Sequence, residues 1–130
     1  MKAKVLYIED NTQNFYLVNF ILTAAGCEVL WAKDGPEGVA NAARGWADLI
    51  LLDIQLPGMD GYAVARALRG NPALSRTPIV ALTSYAMAGD REKALAAGCT
   101  GYIEKPIDPA AFAAQVEQHL LAARSEGGAS

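Results

Sequence analysis

The sequence predicts an α/β domain on an open parallel sheet, and three observations predict it. Short apolar runs alternate with segments of helical period along the whole chain. Three of the runs are apolar at every position, as in strands covered on both faces: Val5-Leu6-Tyr7-Ile8, Leu49-Ile50-Leu51-Leu52 and Ile79-Val80-Ala81-Leu82. Strand-then-helix units succeed one another five times, too few to close an eight-stranded barrel. Right-handed crossovers then place helices on both faces, with strands one and three central.

The elements follow in order. Strand one falls at about residues 4–8, and the next helix shows Phe15, Val18, Ile21, Leu22 and Ala25 at helical spacing before Gly26 stops it. Strand two is at about 28–32. Asp34, Gly35 and Pro36 open a helix in the order of cap and early proline, with Val39, Ala42 and Ala43 as its inner face and Gly45 as its end. Strand three takes about 48–53. A turn through Pro57-Gly58-Met59 leads to the cap Asp60, and Val64, Ala65 and Leu68 face inward until Gly70-Asn71-Pro72. After strand four, at about 78–83, an Ala-rich helix from about Ala88 to Ala97 carries only a thin apolar stripe and is expected to be mobile. Strand five spans about 100–104. Asp108-Pro109 caps a last helix in which Phe112, Val116 and Leu120 recur every fourth residue. Residues 1–124 read as one domain and 125–130 as a short flexible Gly/Ser tail, with no effector domain after it.

Composition removes several function classes. Of 130 residues, 52% are apolar and 19% charged, enough for one core and too few charges for a disordered tail protein. The net charge of −3, with no run of Lys or Arg, argues against direct nucleic-acid binding. No apolar stretch approaches a membrane span and Met1-Lys2-Ala3-Lys4 leads straight into a strand, so a cytoplasmic protein is expected. Cys27 and Cys99 each close an Ala-Ala-Gly-Cys tetrapeptide at a helix-to-strand joint. Without metal-ligand spacing they read as packing residues.

The chemistry gathers where strands end. Strand one runs into Glu9-Asp10, strand three into Asp53, strand four into Thr83-Ser84 and strand five into Glu104-Lys105-Pro106. In an open parallel sheet these ends share one crevice, where such folds place ligands. Taken singly, each acid reads as a helix cap. Together, Glu9, Asp10 and Asp53 repel one another unless a cation joins them, and hard oxygen donors suit Mg²⁺. Lys105 can pair with Asp53 and then with a phosphoryl oxygen, while the Thr83 hydroxyl donates to another. Asp53 is then the nucleophile toward phosphorus, forming an acyl phosphate.

Glu9-Asp10-Asn11, Asp53 with Leu56-Pro57-Gly58-Met59-Asp60-Gly61, Thr83-Ser84 and Lys105-Pro106 resemble the receiver domain of bacterial two-component response regulators, over essentially residues 3 to 123. The resemblance implies a flavodoxin-like (βα)5 three-layer sandwich with strand order 2-1-3-4-5. It implies that a histidine kinase or histidine phosphotransfer protein donates phosphate to Asp53. Mg²⁺ would be held by Asp10, Asp53 and the backbone carbonyl of Gln55, with Glu9 linked through water. It also implies a cis bond before Pro106. Such a chain is a phosphoacceptor regulator rather than a turnover enzyme, catalysing only its own phosphoryl transfer and slow autodephosphorylation.

Switching in that family implies that Thr83 moves toward the phosphoryl group and Tyr102 rotates inward, remodelling the surface of helix four, strand five and helix five for a downstream protein target. The chain is expected as a monomer or a phosphorylation-dependent dimer. Gln55 and Tyr85 occupy the two positions that in that family flank the path of hydrolytic water, and Tyr85 is expected to shield the acyl phosphate for minutes or longer. His119 is expected at the surface, and Trp31 and Trp46 as packing residues. Rival readings are a receiver cut from a hybrid kinase or larger regulator, a phosphorylation-independent scaffold, an aspartyl-phosphate phosphatase and a flavodoxin-like electron carrier. Gln55 stands where the phosphatase needs a second acid, and Glu9-Asp10 would repel a flavin phosphate.

Overall fold

In the computed structural model, residues 1–56, 58, 60–84 and 88–128 are described. The chain order is β1 (Lys4–Ile8), α1 (Thr12–Ala24), β2 (Glu28–Ala32), α2 (Gly35–Ala42), β3 (Leu49–Asp53), α3 (Gly61–Arg69), a 3-10 turn (Pro72–Leu74), β4 (Ile79–Thr83), α4 (Ala88–Ala96), β5 (Gly101–Glu104) and α5 (Phe112–Gly128). All pairings are parallel and the sheet order is β2-β1-β3-β4-β5. The expected α/β architecture and strand order are both present.

Alternation along each strand sorts the core into two layers. Val5, Tyr7, Leu49, Leu51, Val80 and Leu82 face α1 and α5, meeting Val18, Leu22, Phe112, Val116 and Leu120. Leu6, Ile8, Ile50, Leu52, Ile79 and Ala81 face the other way, onto Ala42 of α2, Val64, Ala65 and Leu68 of α3 and Ala94 of α4. Each fully buried Leu or Ile contributes about 1.5–3 kcal/mol, so this double coverage of the central strands fixes the sheet. β3 and β4 are buried at every position, whereas β2 and β5 are half-exposed edges.

Helix starts follow the sequence closely. Asn11, Asp34 and Asp60 accept backbone amides from Asn14, Glu37 and Tyr62, which caps α1, α2 and α3. Both Ala-Ala-Gly-Cys joints have the same geometry: Gly26 at φ 97° and Gly98 at φ 106°, a left-handed turn that favours glycine. Cys27 N–H then donates to Leu22 O and Cys99 N–H to Ala94 O. The cysteines are buried and unbonded, in opposite layers.

Three details differ from expectation. Ala43 is exposed and α2 instead buries Gly35, Gly38 and Ala42, because Ile8 fills the space a side chain at Gly38 would take. Second, α5 continues to Gly128 rather than yielding to a tail at 125, since nothing before Gly127-Gly128 breaks a helix. His119, expected at the surface, is half-buried with its imidazole over the α-carbon of Gly101, and burial lowers its pKa.

Candidate functional site

Register builds the site. Ile8 pairs with Leu52, so Glu9 and Asp10 emerge beside Asp53, the last residue of β3. Asp53 pairs with Leu82, and Thr83 with Glu104, which sets Lys105 just beyond the same rim. Glu9, Asp10 and Asp53 each bring a carboxylate oxygen within 4.8 Å of the others. Lys105 Nζ lies 3.0 Å from Asp53 Oδ1, and the peptide bond between Lys105 and Pro106 is cis. Thr83 is buried at the end of β4, and its carbonyl accepts the Lys105 amide at 2.8 Å.

The electrostatics are those of crowded acid. Glu9 is fully buried, and burial followed by the neighbouring Asp53 carboxyl pushes its pKa up to about 7. Burial and the carboxylates of Glu9 and Asp53 also raise the Tyr7 phenol, whose hydroxyl donates to Glu9 Oε2 at 3.4 Å. A pocket that gathers three carboxylates, and so offers only oxygen donors, fits a hard divalent cation. The three acids could therefore hold a metal ion.

Several contacts escaped the sequence reading. Asn14, in the first turn of α1, donates its side-chain amide to Glu9 Oε1 at 2.9 Å. Gln55 donates its backbone N–H to Asp53 Oδ1 at 2.9 Å, while its side-chain oxygen accepts the Ser84 N–H at 2.9 Å and so joins the loops after β3 and β4. Trp31 donates its indole N–H to the Glu9 carbonyl at 2.6 Å. An Asn three residues past the helix cap was the one readable signal among these, since the other partners are brought together only by sheet register.

Tyr102 pairs with Ala81, deeper in the sheet than the Thr83–Glu104 pair, and its half-buried ring packs toward the α4 side. The Arg91 guanidinium lies 5.6 Å from the ring centre. Tyr85 lies outside the described residues, as do Pro57 and Met59 of the Pro57-Gly58-Met59 turn.

Fold and acid pocket together define an α/β module whose polar groups gather at the carboxyl ends of a five-stranded parallel sheet. A family model of the response regulator receiver domain matches residues 5–117, and the chain belongs to that family. It is 36% identical over 120 residues to the polar-differentiation response regulator DivK of Brucella ovis, covering 92% of this chain and 98% of DivK. It is 40% identical over 116 residues to the response regulator PleD of Caulobacter vibrioides, covering 89% of this chain but only 26% of PleD. Among solved structures it resembles the chemotaxis protein CheY4 of Vibrio cholerae, with TM-score 0.85 and 31% identity over 92% of this chain and 99% of that one. The receiver domain of a sensor histidine kinase from Pseudomonas aeruginosa, described with magnesium coordinated in its active site cleft, gives TM-score 0.82 and 35% identity over 92% and 98%. Proteins of this family signal and are not turnover enzymes. Among the described residues no helix is long and apolar enough to cross a membrane.

Proposed function

We propose that Asp53 is the phosphoacceptor of a two-component or phosphorelay system, with Mg²⁺ seated against Asp10, Asp53 and the Gln55 backbone carbonyl and Glu9 behind them. The observation that carries this reading is the Lys105 ammonium 3.0 Å from Asp53 Oδ1 inside a pocket of three converging carboxylates. An Asp53 oxygen attacks the phosphorus of a phosphohistidine on a partner kinase or phosphotransfer protein. The new O–P bond forms as the P–N bond breaks, and the freed imidazole nitrogen takes up a proton. Lys105 leaves its ion pair to bind a phosphoryl oxygen, and the Thr83 hydroxyl donates to another. When bound, the metal neutralises charge on the transferring group.

Thr83 moving toward the phosphoryl group lets Tyr102 turn inward, which alters the α4–β5–α5 surface that a downstream protein reads. The protein works in the cytoplasm, as a monomer or a dimer formed on phosphorylation. The 35% identity to a receiver within a sensor histidine kinase favours a second reading, in which the same chemistry serves a larger regulator. Incubating the protein with Mg²⁺ and a small phosphodonor, then weighing it intact, tests the proposal. Wild type gains one phosphoryl group and Asp53→Asn none. Equal gain in both sinks the assignment, and unchanged partner binding by Asp53→Asn favours a phosphorylation-independent scaffold.

A further inference from the structure

The backbone of Glu9 and Asp10 is held from outside the acid pocket. Glu9 N–H donates to Ala32 O at 2.9 Å, the last ladder bond between β1 and β2, and beyond it the chain leaves the sheet. The next carbonyl, Glu9 O, receives the Trp31 indole N–H at 2.6 Å across the same two strands. That bond fixes the plane of the peptide joining Glu9 to Asp10. The indole is itself gripped. Phe15 of α1 stacks on it at 4.2 Å between ring centres and 7° between planes, and the Lys33 ammonium sits 5.1 Å from its centre. Phe15 stands five residues past Asp10, in the helix that the acid turn feeds. A closed loop results, running from Glu9 through Asp10 into α1, across to Trp31 and back to the Glu9 carbonyl.

Asp10 is exposed, and its carboxylate lies within 4.8 Å of those of Glu9 and Asp53, where like charges repel one another. An unrestrained turn would relax outward, and any ion would then have to draw it back and order it. Ligands fixed in advance bind more tightly because less ordering remains to be done on binding. We propose that Trp31 is a positioning residue for divalent cation binding, holding the Glu9-Asp10 peptide so that the carboxylates are gathered in advance of the ion. The inference rests on the reading of the site as a magnesium-dependent phosphoacceptor and adds to it a residue on the neighbouring strand that touches neither metal nor phosphate.

Trp31→Phe keeps an aromatic ring for Phe15 to stack on while removing the N–H donor. Mg²⁺ affinity by titration calorimetry is expected to fall roughly three- to tenfold, the effect of losing one hydrogen bond. Phosphoryl uptake from a small donor is expected to fall with it at low Mg²⁺ and to recover at saturating Mg²⁺. Trp46→Phe, which removes the other tryptophan, is expected to leave both unchanged. Thermal melting of each variant confirms that the fold is retained. In the metal-free wild type, the Trp31 indole N–H is expected to exchange slowly with solvent. Trp31→Phe binding Mg²⁺ as tightly as wild type, or a rate deficit that persists at saturation, overturns the positioning role alone. If wild type takes up neither Mg²⁺ nor phosphoryl groups, the functional reading itself fails and the role falls with it.

Discussion

Lys105 Nζ and the Gln55 amide hold the same atom, Asp53 Oδ1, from 3.0 and 2.9 Å. The amide is fixed by its loop, whereas the lysine is a flexible cation that can follow charge as it moves. Lys105→Met should therefore slow phosphoryl uptake on the order of a hundredfold, the scale for losing one donor to a developing negative charge. Mg²⁺ binding should tighten, because a competing positive charge has gone. Initial rates and a Mg²⁺ titration check both, and weaker ion binding in this variant would contradict the account.

The raised pKa of Glu9 sets a pH dependence with a definite sign. Its ordinary value is 4.5 and its value in the fold is about 7, so between the two the native state holds a proton that the unfolded chain has released. Metal-free protein should lose stability as pH rises through that window, and Mg²⁺ affinity should rise over the same range as the competing proton leaves. Urea unfolding with a chelator at pH ~5 and ~8 measures this slope. Glu9→Gln should flatten it, and an equally steep slope in that variant would assign the titration elsewhere.

Thr83 and Tyr102 separate chemistry from output. Thr83→Ala should still accept a phosphoryl group, within about a tenfold loss of rate for one neutral hydrogen bond. The change it transmits should vanish. Amide chemical shifts of Arg91 and Tyr102, which form a cation–π pair at 5.6 Å, report this directly. Shifts of wild-type size on phosphorylating Thr83→Ala would remove Thr83 from the switch.

Two helical glycines should respond oppositely to alanine. A Cβ at Gly61 would meet the Ile54 backbone, so Gly61→Ala should cost about 1–3 kcal/mol of stability and push on the loop that carries Gln55. At Gly89 the same atom enters open space on α4, and Gly89→Ala should stabilise by up to about 1 kcal/mol. Denaturant midpoints decide, and destabilisation at both positions would show that helix propensity is not the controlling difference.

The acid triad and its lysine were legible because parallel strands of similar length bring their ends together, so residues scattered between 9 and 105 could be gathered from the apolar runs alone. Asp34 and Asp60 were legible as caps for a local reason, since each accepts an amide only two or three residues further on. Arg69 was not. Its guanidinium donates to the carbonyls of Gly98, Leu74, Ser75 and Thr77 at 3.0, 2.7, 3.3 and 3.1 Å, tying the end of α3 to the joint before β5. Backbone acceptors carry no residue signature, so no motif could announce them. Trp31 escaped for a related reason, since its partner is a carbonyl and its orientation depends on Phe15 stacking from a separate helix. His119 was misjudged because Gly101 has no side chain, and the hollow it leaves appears only after strand and helix meet.

The twin thiols have a consequence of their own. Cys27 is sealed between the sheet and the α1–α5 layer, Cys99 between the sheet and the layer opposite, each about 4% exposed. With five strands as a partition they cannot cross-link inside one folded molecule under any oxidant. Each becomes reactive only when its own side breathes, so the chain carries a built-in chemical clock for either half of the sandwich.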